Sequence, residues 1–405
     1  MKWLLPIAFF GLLSSAHAQT WAQLPKGVRC FGFRNVTTTP IKSNFNQFRS
    51  ETSLSTNFRV DAVTLNQMAG NILVPGQDMD ANAYKQLLVG EYGVDAKAQA
   101  NVNGMGFAYG LTDKVMLYAE IAYYNANVQA RLKRTKDNNF KQVAEYLANK
   151  TNMTYSDKAI QELLNRMVDL NEHNIQSVVV NHFGYKPIGN WQGTGYGDME
   201  TGVMIKAIDK GTWGLQLYPG VVLPTGRQDD PNMLQDIGFG DGQTDIFGEI
   251  GTGYIVNDNL AFGTRLRYTY QSPSNKRLRV PTDRDFPLSA QTGTFNVKYG
   301  DKLNFMLNST IAFNDWFSIT PVYRYLYQAK SQYDSNYGVA NDYLSYNTNK
   351  QEHQVQLTTS ISSIQPFLKK KFVLPAQINF NVVQTVAGQN VPKVGRFEIE
   401  LRLIF

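Results

Sequence analysis

The 405-residue sequence contains a single cysteine, Cys30, and only four histidines. One cysteine excludes an intrachain disulfide, so the fold must depend on burial and on backbone pairing. Beyond the first 18 residues there is no long apolar run of the kind that forms a transmembrane helix. Charged residues make up 18% of the chain, and the net charge of +6 is not gathered into a patch. We therefore predict no nucleic-acid partner.

The first 18 residues have the pattern of a secretory signal peptide. Lys2 supplies the positive charge, Trp3–Leu13 the apolar core, and Ala16-His17-Ala18 a small-x-small cleavage site before Gln19. The apolar run is too short to span a bilayer, and no cysteine follows the site, which disfavours a membrane anchor and a lipoprotein. We expect export with cleavage near Ala18.

Apolar and polar residues alternate in about twelve later segments. Each is close to the ~9–11 residues that a tilted membrane-spanning strand needs. The segments are 51–62, 96–110, 114–130, 198–207, 212–224, 243–256, 260–271, 300–313, 316–328, 350–364, 372–387 and 395–405. The sequence therefore predicts an all-β protein, a transmembrane outer-membrane β-barrel of about twelve antiparallel strands, in a Gram-negative bacterium. A soluble β-sandwich is the alternative, but it does not account for the signal peptide.

The predicted connections alternate between short turns and long loops. Turn-forming residues fill the short ones, for example Asn257-Asp258-Asn259, whereas 63–95 and 131–197 are long. Short periplasmic turns and long extracellular loops are typical of outer-membrane barrels. An even number of strands places both ends of the barrel on the periplasmic side. Residues 19–50 are predicted to be an N-terminal segment in the periplasm or the lumen.

The last strand, Phe397–Phe405, carries apolar residues at every second position. We predict that these face lipid, and that the strand closes the barrel by pairing with 51–62, since a free edge in lipid leaves backbone groups unsatisfied. The terminal Phe405 is interpreted as the assembly signal read by the barrel-assembly machinery. The other expected partner is outer-membrane lipid.

One long loop, about 131–197, has helical spacing in Asp137–Lys150 and Ser156–Phe183, with Ser156 as the expected N-cap. One hypothesis is a lid or plug that dips into the lumen and gates it. The other is an extracellular helical insert that packs on itself and on the rim. Periodicity does not distinguish the two.

Charged residues on the predicted inner face are the candidates for a solute pathway. They are Glu120, Glu200, Lys206, Glu249, Arg265, Arg267, Lys302, Arg324, Glu398, Glu400 and Arg402. They either line a polar path or pair across strands and stiffen a barrel of moderate width. No ring of one sign indicates strong ion selectivity.

Catalytic and metal-binding patterns are weak. Twelve-stranded barrels include an outer-membrane phospholipase that needs a serine two residues after its histidine, but Val355 occupies that position after His353. His173 and His182 do not have metal-ligand spacing on one helix face. The acidic loop Arg227–Asp245 is expected to be structural, with calcium binding as the alternative. We predict no enzyme activity, no metal and no cofactor.

Three glycine- and aspartate-rich stretches resemble a known family. They are Gly193-Thr-Gly-Tyr-Gly-Asp198, Leu223-Pro-Thr-Gly226 and Gly238-Phe-Gly-Asp-Gly-Gln-Thr-Asp245. Their order resembles the outer-membrane family associated with the meta-pathway of phenol degradation, whose members look distantly like fatty-acid transporters. The resemblance implies a channel for passive uptake of small hydrophobic or aromatic molecules. The alternative is a surface-binding or adhesion barrel that acts through its long loops and insert.

Overall fold

The computed structural model describes residues 23–69, 75–166, 171–284 and 288–405. Twelve antiparallel strands form a closed barrel, which confirms the predicted fold class. The strands are β1 Arg29–Thr38, β2 Leu88–Thr112, β3 Val115–Lys136, β4 Met199–Asp209, β5 Trp213–Leu223, β6 Asp245–Asn257, β7 Leu260–Gln271, β8 Lys302–Ala312, β9 Phe317–Gln328, β10 Lys350–Ser362, β11 Ala376–Gln389 and β12 Gly395–Ile404. The predicted signal peptide lies outside the described residues.

The barrel closes through β1, which pairs with β12 on one side and with β2 on the other. The predictions that 51–62 is the first strand, and that all of 19–50 precedes the barrel, are therefore wrong. Residues Glu51–Ser53 instead pair with Ser43–Phe45, and Thr56–Asp61 pairs with the outer end of β2. These short strands lie in the long loop, where alternation serves local packing rather than membrane crossing.

Side chains alternate between lipid and lumen along the strands. In β12, Phe397 and Ile399 are 58% and 52% exposed, whereas Glu398 and Glu400 are 5% and 2% exposed. The same alternation runs through β7, with Phe262 and Leu266 outside and Arg265 inside. The predicted faces of these strands are confirmed. The lumen is filled mainly by polar and charged side chains, as expected when the outer face alone contacts lipid.

Two strands are longer than a membrane crossing requires. β2 has 25 residues and β3 has 22, and their hairpin extends beyond the neighbouring strands on the long-loop side. The short strand Trp191–Tyr196 pairs with the outer part of β3. The remaining short strands are Ser274–Arg279, Thr292–Lys298, Gln332–Asp334 and Val391–Pro392. Because β2 and β3 extend past their neighbours, their hairpin forms a wall on one side of the barrel mouth.

Short helices pack against this hairpin. They are α1 Ala62–Ala69, α2 Ala81–Gln86, α3 Phe140–Ala148, α4 Tyr155–Arg166 and α5 Glu172–Ser177, followed by a π-helical turn at Val178–His182. Two further helices, α6 Gly338–Ser345 and α7 Ile364–Leu368, lie in other connections. No helix in the described ranges is long and apolar enough to cross a membrane.

The helices α1–α5 share one apolar core with the outer part of β2. Phe140, Val143 and Leu147 of α3 pack there with Leu164 of α4 and with Tyr92. The predicted N-cap is wrong, because α4 begins one residue before Ser156. Thr154 and Asp157 instead form a reciprocal capping box, in which each backbone N–H donates to the other side chain over 3.0 and 3.1 Å.

Candidate functional site

A cavity of about 660 Å³ lies in the long-loop half of the lumen. Its wall includes residues at the outer strand ends, such as Asp245 at the start of β6, Gln271 at the end of β7 and Lys302 at the start of β8. Parts of the loops 224–244, 329–349 and 390–394 complete the wall. None of the described residues of 131–197 lines it. The structure therefore favours the packing hypothesis for the helical insert over the plug hypothesis.

The cavity wall is polar, with an excess of negative charge. Its charged members are Glu120, Asp198, Glu200, Asp229, Asp241, Asp245, Arg267, Lys276, Lys302, Lys350 and Glu352. Seven of these are acidic and four are basic. Its aromatic members are Tyr124, Phe239, Tyr299, Tyr327 and Tyr333. A small solute would meet aromatic faces and hydrogen-bonding groups on the same wall.

The three glycine-rich stretches meet at Asp198, beside the cavity. Its carboxylate accepts hydrogen bonds from the backbone N–H groups of Gly226 and Asp241, over 2.8 and 3.0 Å. A Cβ on Gly240 would lie 2.4 Å from the same carboxylate, so glycine is required for this approach. Burial raises the pKa of Asp198 to about 6, and the nearby negative charge of Asp241 raises it further. The hydrogen bonds from the two backbone N–H groups act in the opposite direction and lower this pKa. The motif residues thus fix one side of the cavity.

The acidic loop after β5 is held by ion pairs. Arg227 binds both carboxylate oxygens of Asp236, over 2.5 and 3.1 Å, and its guanidinium lies against the ring of Phe239. Asp230 pairs with Lys186 over 2.9 Å. No group of three or more His, Cys, Asp or Glu arranged for a metal ion occurs in the described residues. These contacts explain Asp230 and Asp236 as loop-fixing groups.

A chain of alternating charges continues from the cavity towards the short-turn end. Arg267 pairs with Glu200 over 2.6 Å and with Glu249 over 3.0 Å, and Glu249 also pairs with Arg265 over 3.0 Å. Tyr118 donates to Glu200 over 2.9 Å. These side chains are almost wholly shielded from solvent, and salt screens such buried ion pairs much less than exposed ones. The barrel is therefore braced from β4 across to β7.

A second group of buried charges lies along β12. Arg34 pairs with Glu400 over 2.8 Å, and Arg402 donates to the same carboxylate. Arg396 pairs with Glu398 over 2.5 Å. Sequence reasoning missed two of these five residues. Arg34 lies in the strand that was not predicted, and Arg396 is the second residue of β12, where a face was not assigned.

The predicted pathway residues fall into three groups. Glu120, Glu200, Arg267 and Lys302 line the cavity. Six others point into the lumen without lining the cavity. Along the chain, they lie closer to the short turns than the nearest cavity-lining residues do, and they are Glu249, Arg265, Arg324, Glu398, Glu400 and Arg402. Lys206 is separate from both, since it pairs with Asp209 over 3.2 Å beside a short turn. Ten of the eleven candidates thus share the lumen's charged region.

The N-terminal segment enters the lumen from the other end. Leu24, only 3% exposed, packs with Cys30, Met116 and Met204, all on inner strand faces. The side-chain amide of Gln23 donates to the carbonyl of Met204 over 2.8 Å. The segment passes so close to β2 that a Cβ on Gly110 would lie 2.0 Å from the carbonyl oxygen of Pro25. Residues 23–28 therefore reduce the space at the short-turn end.

His353 lies on the outer face, away from these groups. Its Nδ1 is 2.7 Å from the hydroxyl of Tyr323, and its ring centroid is 5.0 Å from that of Tyr325. Aromatic residues that are apolar on one side and wet on the other concentrate at membrane interfaces. This group is consistent with an interfacial girdle towards the long-loop end.

Solved structures of outer-membrane channels resemble the chain. An outer membrane channel from Pseudomonas putida F1 aligns over 95% of this chain and 98% of its own, with 10% identity and a TM-score of 0.54. The toluene transporter TbuX of Ralstonia pickettii aligns over 94% and 90%, with 10% identity and a TM-score of 0.35. The monoaromatic hydrocarbon channel CymD aligns over 97% and 91%, with 9% identity and a TM-score of 0.35. The first similarity establishes the fold as that of an outer-membrane β-barrel.

No family model matches the chain, and no curated protein sequence matches it. The predicted link to the phenol meta-pathway family is therefore not confirmed.

Proposed function

We propose that the protein is an outer-membrane channel for passive uptake of small molecules. The observation that carries this proposal is the 660 Å³ cavity inside a closed barrel, with a wall of charged and aromatic side chains. A barrel that served only as a scaffold would have no need of a polar internal space of this size, because its interior could be filled by side chains. The outer-membrane barrel fold supports the same function.

The cavity wall favours polar or charged aromatic solutes over plain hydrocarbons. Eleven of its residues are charged, and a hydrocarbon would displace water from them without replacing the lost hydrogen bonds. Rings such as those of Tyr124 and Phe239 offer flat surfaces against which a small aromatic molecule stacks. The excess of acidic groups favours cationic over anionic groups near the mouth.

Planar-bilayer conductance and liposome swelling with purified protein test this proposal. We expect discrete channels and swelling with small polar aromatic solutes such as tyramine, and slower swelling with sugars too large for the cavity. Refolded protein with the heat-modifiable migration of a closed barrel is the necessary control. A correctly folded barrel that passes neither ions nor these solutes would contradict the proposal.

A second candidate is surface binding through the domain formed by α1–α5 and the outer part of β2 and β3. The observation in its favour is that this domain has its own apolar core and that none of the described residues of α1–α5 lines the cavity. Replacing 138–189 by a short flexible linker distinguishes the functions. A channel keeps its conductance after this change, whereas a surface-binding protein loses attachment to its partner and has no conductance to lose.

A further inference from the structure

One inward-facing arginine of the barrel, Arg324, differs from the others in having no ion pair with a glutamate of the described chain. The other five each form an ion pair with a glutamate: Arg34 and Arg402 with Glu400, Arg265 with Glu249, Arg267 with Glu200, and Arg396 with Glu398. Arg324 of β9 has none. Within the part of the chain that the structure describes, no carboxylate oxygen lies within 4.0 Å of its nitrogen atoms.

Arg324 also lacks other polar partners. Its Nε atom is buried without a hydrogen bond, and among the described residues no side chain or carbonyl accepts from the rest of its guanidinium. Its side chain is half-buried and points into the lumen, one inward position below Leu326 of the cavity wall. The side chain is therefore partly exposed inside the lumen, on the short-turn side of the cavity, while its Nε is withdrawn from water.

The charges that act on Arg324 are mostly of its own sign. Of the four charged groups in the described chain that act on it most strongly, Arg396, Arg34 and Arg265 repel it, and Glu398 attracts it. That glutamate already accepts from Arg396 over 2.5 Å and from Asn381 over 3.3 Å. The protein thus provides a cation in a shielded place without providing its counter-ion.

An unpaired, partly desolvated guanidinium is costly, and an anion that binds to it removes much of that cost. The planar fork of N–H donors in arginine matches the two oxygens of a carboxylate. We propose that Arg324, in the lumen on the short-turn side of the cavity, binds the carboxylate of a small solute. This inference rests on the proposed channel function and specifies the chemical class of the solute.

The charge of the cavity wall restricts the class of solute further. Seven acidic and four basic residues line the cavity, so its wall repels a dianion more strongly than a monoanion. A zwitterion is repelled least, since the wall attracts its cationic group while its carboxylate binds Arg324. The site therefore selects small monocarboxylates, with zwitterionic aromatic acids preferred over dicarboxylates.

Equilibrium binding separates this site from transport. Calorimetric titration of the folded barrel with 4-bromobenzoate should show binding, and the neutral isostere 4-bromobenzamide should not bind. Chloride, titrated separately, should compete weakly because it cannot form two parallel bonds. We expect Arg324→Gln to weaken carboxylate binding at least about tenfold, Arg324→Lys to retain part of it, and Lys206→Gln, which also removes one lumen-side cation, to leave it unchanged.

Equal binding of the benzoate by Arg324→Gln and by the original protein would overturn the proposal, as would an absence of binding by the original protein. If the Gln variant does not fold, crystals of the original protein soaked in 4-bromobenzoate decide. A bromine anomalous peak close to Arg324 supports the site, and occupancy elsewhere in the lumen contradicts it. Binding without conductance would refute the channel function and leave the anion site intact.

Discussion

The guanidinium of Arg267 donates to the carboxylate of Glu200 over 2.6 Å, although the two residues are 67 positions apart. They belong to β7 and β4, which are separated in the wall by β5 and β6. The contact therefore crosses the lumen rather than following a strand pair. Arg267 also binds Glu249 over 3.0 Å, so one guanidinium joins three strands.

Removing this contact should destabilise the barrel. We expect Glu200→Ala to lower the free energy of unfolding by about 1–3 kcal/mol, because the buried Arg267 loses the carboxylate that accepts both of its hydrogen bonds and keeps only its ion pair with Glu249. Urea unfolding in detergent micelles, followed by heat-modifiable migration, measures the change. Lys206→Gln removes an exposed ion pair and should change stability by less than about 1 kcal/mol. An equal loss in both variants would contradict a special role for the cross-lumen pair.

The N-terminal segment should restrict the pore. Leu24→Asp places a carboxylate among apolar groups, which costs several kcal/mol unless the segment leaves the lumen. We expect a larger single-channel conductance in this variant. Lys26→Gln, which changes an exposed side chain in the same segment, is the matched control and should conduct like the original protein. Identical conductance of Leu24→Asp and the control would show that residues 23–28 do not obstruct the pore.

Gly110 should be intolerant of a side chain. A Cβ at this position would lie 2.0 Å from the carbonyl oxygen of Pro25 and 2.8 Å from that of Leu24. Gly110→Ala therefore forces the N-terminal segment away, and we expect it to increase conductance in the same way as Leu24→Asp. Gly248→Ala, where a Cβ meets nothing within 4 Å, should have no such effect.

Ion selectivity should depend on pH through Asp198. Its pKa of about 6 lies above the ordinary value of 3.8, so the carboxylate is charged at pH 7.5 and neutral at pH 5. The cavity loses a negative charge over that interval, and the ratio of cation to anion permeability should fall. Reversal potentials in a salt gradient measure the ratio. Asp198→Asn is neutral throughout, so an undiminished pH response in that variant would assign the effect elsewhere.

The helical insert should be acid-sensitive at lower pH. Asp157 is buried, which opposes ionisation, but Lys150 at 2.8 Å and the backbone N–H of Thr154 lower its pKa from 3.8 to about 2. A carboxylate with a depressed folded pKa contributes stability above its unfolded pKa and loses it as pH falls. We expect the protection factors of amides in α3 and α4, corrected for the intrinsic exchange rate, to fall between pH 4 and 2 by an amount that corresponds to up to about 2 kcal/mol of local stability. Asp157→Asn should show reduced protection factors already at pH 6.

Period-two alternation predicted eleven of the twelve barrel strands. It failed for β1 because the apolar Cys30 and Val36 on the inner face and the polar Asn35 and Thr37 on the outer face blur the contrast between faces. Without β1, Arg34 could not be placed opposite Glu400. The predicted β2 and β3 are also too short, since residues 88–95 are largely buried on both faces beneath the helices, and 131–136 contains four Lys and Arg residues in place of apolar ones.

Pairing inside the lumen could not be predicted from alternation. A face assignment places Glu200 and Arg267 inside, but their contact depends on the tilt and stagger of all strands between them. The glycine-rich stretches gave a better signal. Their order identified the segments that Asp198 joins, although the resemblance by itself did not indicate that Gly226 and Asp241 would donate to that carboxylate.

The single cysteine gives the protein a built-in reporter. Cys30 is fully buried on the inner face of β1, in the same apolar cluster as Leu24. A thiol reagent added from the periplasmic side therefore reacts only when the N-terminal segment moves aside. Because the chain has no other sulfhydryl, the labelling rate of the unmodified protein gives the rate of these openings at reagent concentrations where the reaction is faster than reclosure. A channel that opens rarely can thus be timed without introducing any mutation.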